Sequence, residues 1–292
     1  MEQYAAGVVL YNPDKKRLKE NLNAICDQVE WIYCYNNGLQ NASEIDMLLN
    51  SYNNLRVIGN GTNVGIATAL NDLVKEAAKD GKEWILTLDQ DSVVCEGMVA
   101  ALASLTNEKD VVIICPVIED VRRKNEVPAI RKDTIDDVDF CITSGSFMNV
   151  QKTIDIGGFD DALFIGLVDD EICHKVKKSG YRIIRNNSVI LNHELGNLIP
   201  SKYETLYLFL GSFLHSSIVK KLSYKREVSP MRLYYATRNM VYLNRKYPHE
   251  NSSWSKKRLV YNSLSSFLRG EEKIKLIKSI INGIKDGKNM KI

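Results

Sequence analysis

Over its first 120 residues the chain alternates short apolar runs with segments whose apolar residues recur at helical spacing. "YAAGVVLY" (4–11), "WIYCY" (31–35), "LRVI" (55–58), "WILTL" (84–88) and "VVIICPV" (111–117) have strand length and strand composition. Between them Leu18, Leu22, Ile25 and Val29 repeat every three or four residues, followed by a helical stretch around Ile45 to Leu49. Ile66, Leu70, Leu73, Val74 and Ala77 then form a third stripe, ended by Gly81. Strands alternating with short helices mean βαβ units, and hence an α/β fold with a mostly parallel, Rossmann-like sheet flanked by helices. Ligands of such sheets bind outside the carboxyl ends of the strands.

Beyond Pro116 the alternation loosens. Residues 119–138 are highly charged and contain Pro128, which reads as a mobile surface loop. "FCITSGSFMNV" (140–150) reads as strand, turn, strand. A helix over 169–179 and a strand near "YRII" (181–184) follow. From about 203 the chain reads as helical, with interleaved Tyr, Arg and Lys. The expected division is a first domain over 1–202 and a helical, basic C-terminal extension over 203–292. There is no internal repeat.

Net charge is +3 over 292 residues, but it is unevenly placed. From Ser217 onward there are 18 Lys+Arg against 5 Asp+Glu, leaving 21 basic and 31 acidic residues before it. An acidic body suits a metal-using site, and a basic tail suits phosphates or an anionic membrane face. Six scattered cysteines with no C-x-x-C pair read as reduced residues, mostly of the core. The N-terminus lacks a secretory pattern, and "LYLFLGSFL" (206–214) is far too short to span a bilayer. The expected location is the cytoplasm, with the inner face of the cell membrane as the place a basic tail would reach.

"WILTLDQDSVV" (84–94) is the most informative stretch, because the strand ends in two carboxylates, Asp89 and Asp91. A solvated turn or a helix cap would account for them. So would a divalent cation, since Mg²⁺ recruits one or two carboxylates and takes its other ligands from phosphates and water. A second acidic group, Asp169, Asp170 and Glu171, opens a helix, where the macrodipole favours acids. Adjacent acids also suppress each other's ionisation, which is how a carboxylate becomes a general base. His193 follows in "LNHELG". Two acid clusters and a histidine near strand ends point to a metal-plus-base site. Gly59, Gly61 and Gly65 are spaced one residue too widely for the dinucleotide fingerprint, and no P-loop follows the first strand.

"GVVLYNPD", "TNVGIATALN", "LTLDQDS", "ITSGSF", "FIGLVDDEICHKVKKSGY", "HELG" and "RLYYATRN" occur in the order seen in bacterial family 2 glycosyltransferases. Over residues 4–245 the chain resembles that family, and most closely the rhamnosyltransferases of cell-surface polysaccharide synthesis. The resemblance implies a GT-A fold and an inverting transferase that moves a sugar from a nucleotide-sugar, dTDP-L-rhamnose first, to a glycan or polyprenyl-linked acceptor. It also implies Mg²⁺ or Mn²⁺ held by Asp89 and Asp91, with His193 completing the metal shell. Asp169 matches the base, with Asp170 and Glu171 beside it. Leu10, Asn12, Asn37, Asn63, Gly65 and Ile66 match the nucleotide-cradling turns. One departure stands out: Asn36-Asn37-Gly38 replaces the Asp-Asn-Gly common in relatives, which leaves the nucleobase open. The alternatives are a transferase of another UDP- or dTDP-sugar, or a catalytically inactive nucleotide-sugar-binding protein. No nucleic-acid partner is expected.

In the tail, Arg232, Tyr235, Arg238 and Tyr242 share one helical face, with Arg238 placed to contact a phosphate. Leu259, Leu264, Phe267, Leu268, Ile274, Ile277 and Ile281 lie between lysines. They suit helices on an anionic membrane surface, or packing against the body or a second subunit in a homodimer.

Overall fold

A computed structural model describes residues 3–40, 42–120, 134–193, 198–201, 203–214, 216, 219–220, 223–226, 228–248, 254–270 and 272–292. The chain forms two compact units, Met1–Glu194 and Leu195–Ile292, which divide slightly ahead of the position read from sequence.

In the first unit, β1 (Tyr4–Leu10), β2 (Trp31–Asn36), β3 (Leu55–Ile58) and β4 (Trp84–Asp89) pair in parallel in the order β3-β2-β1-β4. The helices α1 (Lys15–Ile25), α2 (Ala42–Leu49) and α3 (Ile66–Lys79) cross between them. A strand covered on both faces needs no polar side, so β1 is buried along nearly its whole length. Ala6, Val8 and Leu10 pack with Leu18, Leu22 and Ile25 of α1. On α3, Leu70, Leu73, Val74 and Ala77 are buried as the sequence stripe requires. Gly7 is tight: a Cβ there would stand 3.1 Å from side-chain atoms of both Ile85 and Leu73.

The sheet continues through β5 (Val93–Val94), β6 (Val111–Asp120), β7 (Ile135–Asp137), β8 (Ser146–Asn149) and β9 (Arg182–His193). β8 runs antiparallel between β4 and β6, β6 pairs in parallel with β9, and β5 and β7 are antiparallel to β9. Three helices, α4 (Met98–Ala103), α5 (Val150–Asp155) and α6 (Val168–Lys178), complete the unit. The strand-turn-strand reading of 140–150 is half right: only Ser146–Asn149 is a strand, because the preceding residues form a turn that bonds to side chains. The surface loop read at 119–138 falls largely on 121–133, outside the described residues, and its last part is strand β7.

The second unit holds a short antiparallel pair, β10 (Leu198–Pro200) with β11 (Tyr224–Arg226), and helices α7 (Glu204–Phe213), α8 (Pro230–Lys246), α9 (Lys256–Arg269) and α10 (Lys273–Asn289). Ser229 caps α8 and Pro230 begins it, as a proline at the first helical position should. Two glycines one turn apart bring α8 and α10 close. A Cβ on Gly283 would stand 2.8 Å from the Tyr234 carbonyl, and one on Gly287 would stand 2.4 Å from the Arg238 carbonyl. Tyr234 donates to Asp286 (2.7 Å), and Arg245 donates to the carbonyls of Gly287 (3.0 Å) and Met290 (2.8 Å). Among the described residues no helix is long and apolar enough to cross a membrane.

Because backbone, not a flexible side chain, blocks position 287, Gly287→Val should separate the two helices. The expected cost is about 1–3 kcal/mol, the usual range for overpacking. Hydrogen exchange over 230–246 and 273–289 should accelerate while β1 and β4 keep their protection.

Candidate active site

The site begins where β4 ends. Asn21 lies in the buried stripe of α1, flanked by Leu18, Leu22 and Ile25. Its amide donates to the carbonyls of Asp89 (3.0 Å) and Ser92, closing the acidic turn onto the helix. Arg17, one turn earlier, donates from Nε to the Asp91 carbonyl at 2.8 Å. Gln90 makes a reciprocal pair with the first residue after β1: its Oε1 accepts from the Tyr11 N–H (2.8 Å) and its Nε2 donates to the Tyr11 carbonyl (3.1 Å). The backbone carrying Asp89 and Asp91 is thus fixed from two sides, and both residues are half-buried.

On the opposite side stands the turn before β8. The Asp89 N–H donates to Ser144 Oγ (3.0 Å), which also shares a hydrogen bond with Ser92 Oγ (2.7 Å). The preceding residue, Thr143, donates its N–H to Asp169 Oδ1 at 2.9 Å. Consecutive residues of one turn therefore hold the strand-end acid and the helix acid. Thr87, fully buried in β4, fixes that turn: its hydroxyl donates to the Thr143 carbonyl (2.6 Å), and its carbonyl accepts from the Gly145 N–H (2.7 Å). Gly145 has φ +86°, and a Cβ there would lie 2.7 Å from Leu191 Cδ2.

Asp169 enters α6 immediately after Leu167 and Val168, with Leu167 in the left-handed region at φ 59°. Burial of its carboxyl group pushes Asp169 above the ordinary carboxylate range. The Thr143 hydrogen bond opposes that shift, and the negative charge of Asp170 adds to it. Glu171 differs from its neighbours. It is fully buried, with Oε1 3.5 Å from Lys175 Nζ, so it serves the helix interior.

The loops at the ends of β1, β2 and β3 are held by asparagine side chains. The Leu10 carbonyl accepts from the Asn37 N–H at 3.0 Å. Asn12, at φ 46°, accepts from the Gln40 N–H (2.8 Å), and Asn36 accepts from Gly38 and Leu39. Asn37 is buried and its Oδ1 accepts from the Val64 N–H (2.8 Å), while Asn63 accepts from the Gly65 N–H (3.0 Å). The Ile66 N–H then donates to the Phe164 carbonyl (2.8 Å), and a Cβ on Gly65 would lie 2.7 Å from that oxygen. These residues and the segment leading into Asp169 thus form one connected framework. Beside Asp91 a cavity of about 470 Å³ is lined by Asp14, Lys16, Arg17, Glu20, Gln90 and Asp91.

His193 is the last residue of β9, one position beyond the Val93–Asn192 pair, and its side chain lies outside the described residues. Arg238 belongs to α8 of the second unit, where its guanidinium lies 4.7 Å from the Tyr235 ring centre and Nε donates to Asn239. Among the described residues no three His, Cys, Asp or Glu side chains gather into a ready-made cation cage. Two strand-end carboxylates nevertheless fit Mg²⁺ or Mn²⁺, because such ions take few protein oxygens and complete their shell from phosphate and water. Residues overlooked in the sequence are Arg17, Asn21, Thr87, Thr143 and Ser144. Asn21 did leave a signal, an amide in the middle of an apolar helical stripe.

Removing the Asn21 amide takes a donor from two carbonyls, of which that of Asp89 keeps the Ser92 N–H (3.2 Å). Asn21→Ala should cost about 1–3 kcal/mol in denaturant unfolding, the usual penalty for buried groups left unmatched. Asp169 makes a test in pH. Its folded-state pKa is raised, so the group favours folding at low pH, and that contribution is lost as pH rises through the folded value. At neutral pH its charge opposes folding. Asp169→Asn should therefore melt above the wild-type chain at pH 7, with the two curves converging below about pH 4, the ordinary carboxylate range.

Residues 6–165 match the family model "Glycosyl transferase family 2", which covers more than half of the chain. The dTDP-rhamnosyl transferase RfbF of Shigella flexneri is 25% identical over 208 residues, covering 66% of this chain and 69% of that protein. Among solved structures, GalNAc-T7 with UDP, GalNAc and Mn²⁺ aligns with a TM-score of 0.57 at 14% identity, over 89% of this chain and 55% of that one. The mannosyltransferase PcManGT of Pyrobaculum calidifontis, in complex with GDP-Man and Mn²⁺, gives the same score and identity over 95% of this chain and 73% of its own. The architecture these structures share is GT-A, and the chain belongs to glycosyl transferase family 2.

Proposed function

We infer that the chain is an inverting, divalent-metal-dependent glycosyltransferase. It moves L-rhamnose from dTDP-L-rhamnose to a hydroxyl of a glycan or polyprenyl-linked acceptor. The observation that carries the reading is the turn in which Ser144 holds Asp89 and Thr143 holds Asp169. It joins a candidate diphosphate-side acid and a candidate base through one peptide. The donor assignment rests on the resemblance to RfbF, whose name specifies dTDP-rhamnosyl transfer.

The chemistry requires two kinds of group on opposite sides of the anomeric carbon. Sugar–phosphate cleavage leaves a nucleoside diphosphate whose added charge needs fixed positive partners. Asp89 and Asp91 are the residues that would hold Mg²⁺ or Mn²⁺, which when bound supplies positive charge toward that diphosphate. Lys16 and Arg17 line the cavity beside Asp91 and add cationic groups. Asp169 accepts the proton of the attacking acceptor hydroxyl. Its raised pKa makes it a stronger base than a solvated carboxylate, and the Thr143 N–H fixes the orientation of its Oδ1. One base and one displacement invert the anomeric centre.

A donor panel scored for nucleotide release, with and without chelator and acceptor, tests the assignment. dTDP-L-rhamnose should give metal-dependent turnover above the UDP- and GDP-sugars, and preference for another donor would move the substrate while keeping the class. Asp91→Ala should abolish metal-dependent nucleotide binding without unfolding the chain. Asp169→Asn should lower kcat by about 10²–10⁴-fold, the usual weight of a positioned general base, with donor affinity nearly unchanged. Normal turnover by Asp91→Ala in chelator would remove the metal from the reading.

A further inference from the structure

Helix α10 has two unlike sides. Leu276, Gly283 and Gly287 are buried, with the two glycines against α8. At 3.6 residues per turn, Ile274, Ile277, Lys278, Ile281, Lys285 and Lys288 fall within about 100° of arc on the opposite side. All six are exposed, Ile274 at 72% and Ile281 at 59%. That arc carries no carboxylate. Asp286 lies off it and accepts from Tyr234, while Glu272, which pairs with Lys275, precedes the helix.

Helix α9 repeats the pattern with different residues. Val260, Leu264 and Leu268 are exposed on one face in line with Lys257, and Lys256 and Arg258 stand exposed on either side of that lysine. No acidic residue occurs in the helix. Exposed aliphatic groups call for an apolar partner, and the lysines among them call for an anionic one. A second copy of the same face would oppose lysine to lysine. An aqueous phosphate would leave the isoleucines in water. A bilayer of anionic lipid satisfies both demands, since the aliphatic groups enter the headgroup–acyl boundary while the lysines stay among the phosphates.

We propose that the outward faces of α9 and α10 form a docking surface for an anionic lipid bilayer, holding the enzyme on the membrane as a peripheral protein. Lipid binding is measured without donor or acceptor, so it stands or falls apart from the transferase reading.

The test is flotation of the full chain with vesicles containing phosphatidylglycerol, compared with pure phosphatidylcholine. Binding should be confined to the anionic vesicles and largely lost in about 1 M salt, where the Debye length falls to about 3 Å. Joint replacement Lys278→Gln, Lys285→Gln and Lys288→Gln should weaken partitioning by on the order of 100-fold, taking about 1 kcal/mol for each lysine near the surface. Joint replacement Ile274→Ser, Ile277→Ser and Ile281→Ser should weaken it at least about tenfold, since each side chain contributes apolar burial. The six sites are exposed, so thermal melting should move little in either variant. Equal binding to neutral vesicles, no binding by the wild-type chain at low salt, or wild-type binding by the isoleucine variant would each overturn the proposal. So would a dimer that dissociates in the isoleucine variant while vesicles are ignored.

Discussion

Thr87 is the point on which the geometry at the end of β4 depends. It sits in the sheet interior, where a hydroxyl needs a partner, and it donates to the Thr143 carbonyl while its own carbonyl accepts from Gly145. Those two bonds set the turn that leads into β8. That turn presents Ser144 to Asp89 and the Thr143 N–H to Asp169. A buried hydroxyl with no charge of its own thus sets where two acids from distant parts of the chain can stand.

The loops after β1, β2 and β3 are shaped by amides instead. Four asparagines, Asn12, Asn36, Asn37 and Asn63, accept backbone N–H groups across or within the loops. Their short side chains form local turns and tolerate the left-handed backbone that Asn12 adopts. Asn37 therefore has a structural role, since its Oδ1 is engaged by Val64. The departure from Asp-Asn-Gly falls on Asn36, whose Oδ1 accepts the Gly38 and Leu39 N–H groups and so shapes the same loop. Gly65 completes the framework by letting α3 begin against the Phe164 carbonyl. Leu167, another non-glycine residue at positive φ, then redirects the chain into α6. Such conformations carry local strain and persist where surrounding contacts over-determine them.

Periodicity alone was enough to place β1 to β4 and the helices between them, since apolar burial is what both the pattern and the sheet express. Asp89 and Asp91 were visible because acids at the end of a buried run conflict with burial. Their supports were not. Thr87 reads in sequence as an ordinary strand threonine, and Ser144 as one of many turn serines. Their importance comes from partners 52 to 59 residues away, which no local pattern contains. The glycine contact between α8 and α10 was hidden for the same reason, as it depends on which face of each helix meets the other. The apolar residues read between the tail's lysines leave out Leu276 and Val260, and only the fold separates buried Leu276 from exposed Ile274, Ile277 and Ile281.

The three acids that open α6 show how helical geometry sorts residues that look equivalent in sequence. Successive residues on a helix are separated by about 100°, so positions 169 and 171 point to nearly opposite sides. Position 171 turns inward, where a carboxylate requires a cation, and Lys175 one turn later supplies it while also donating to the Gly158 carbonyl at 2.7 Å. Position 169 turns toward the Thr143 turn, where it finds an N–H and, among the described residues, no paired cation. A nearby lysine would have stabilised the carboxylate and weakened it as a base. Burial without that pairing, with Asp170 adjacent, raises its proton affinity instead. The acid proposed as the base is therefore the one that the fold sets beside a neutral donor, and the acid suited to stability is the fully buried one it gives a lysine.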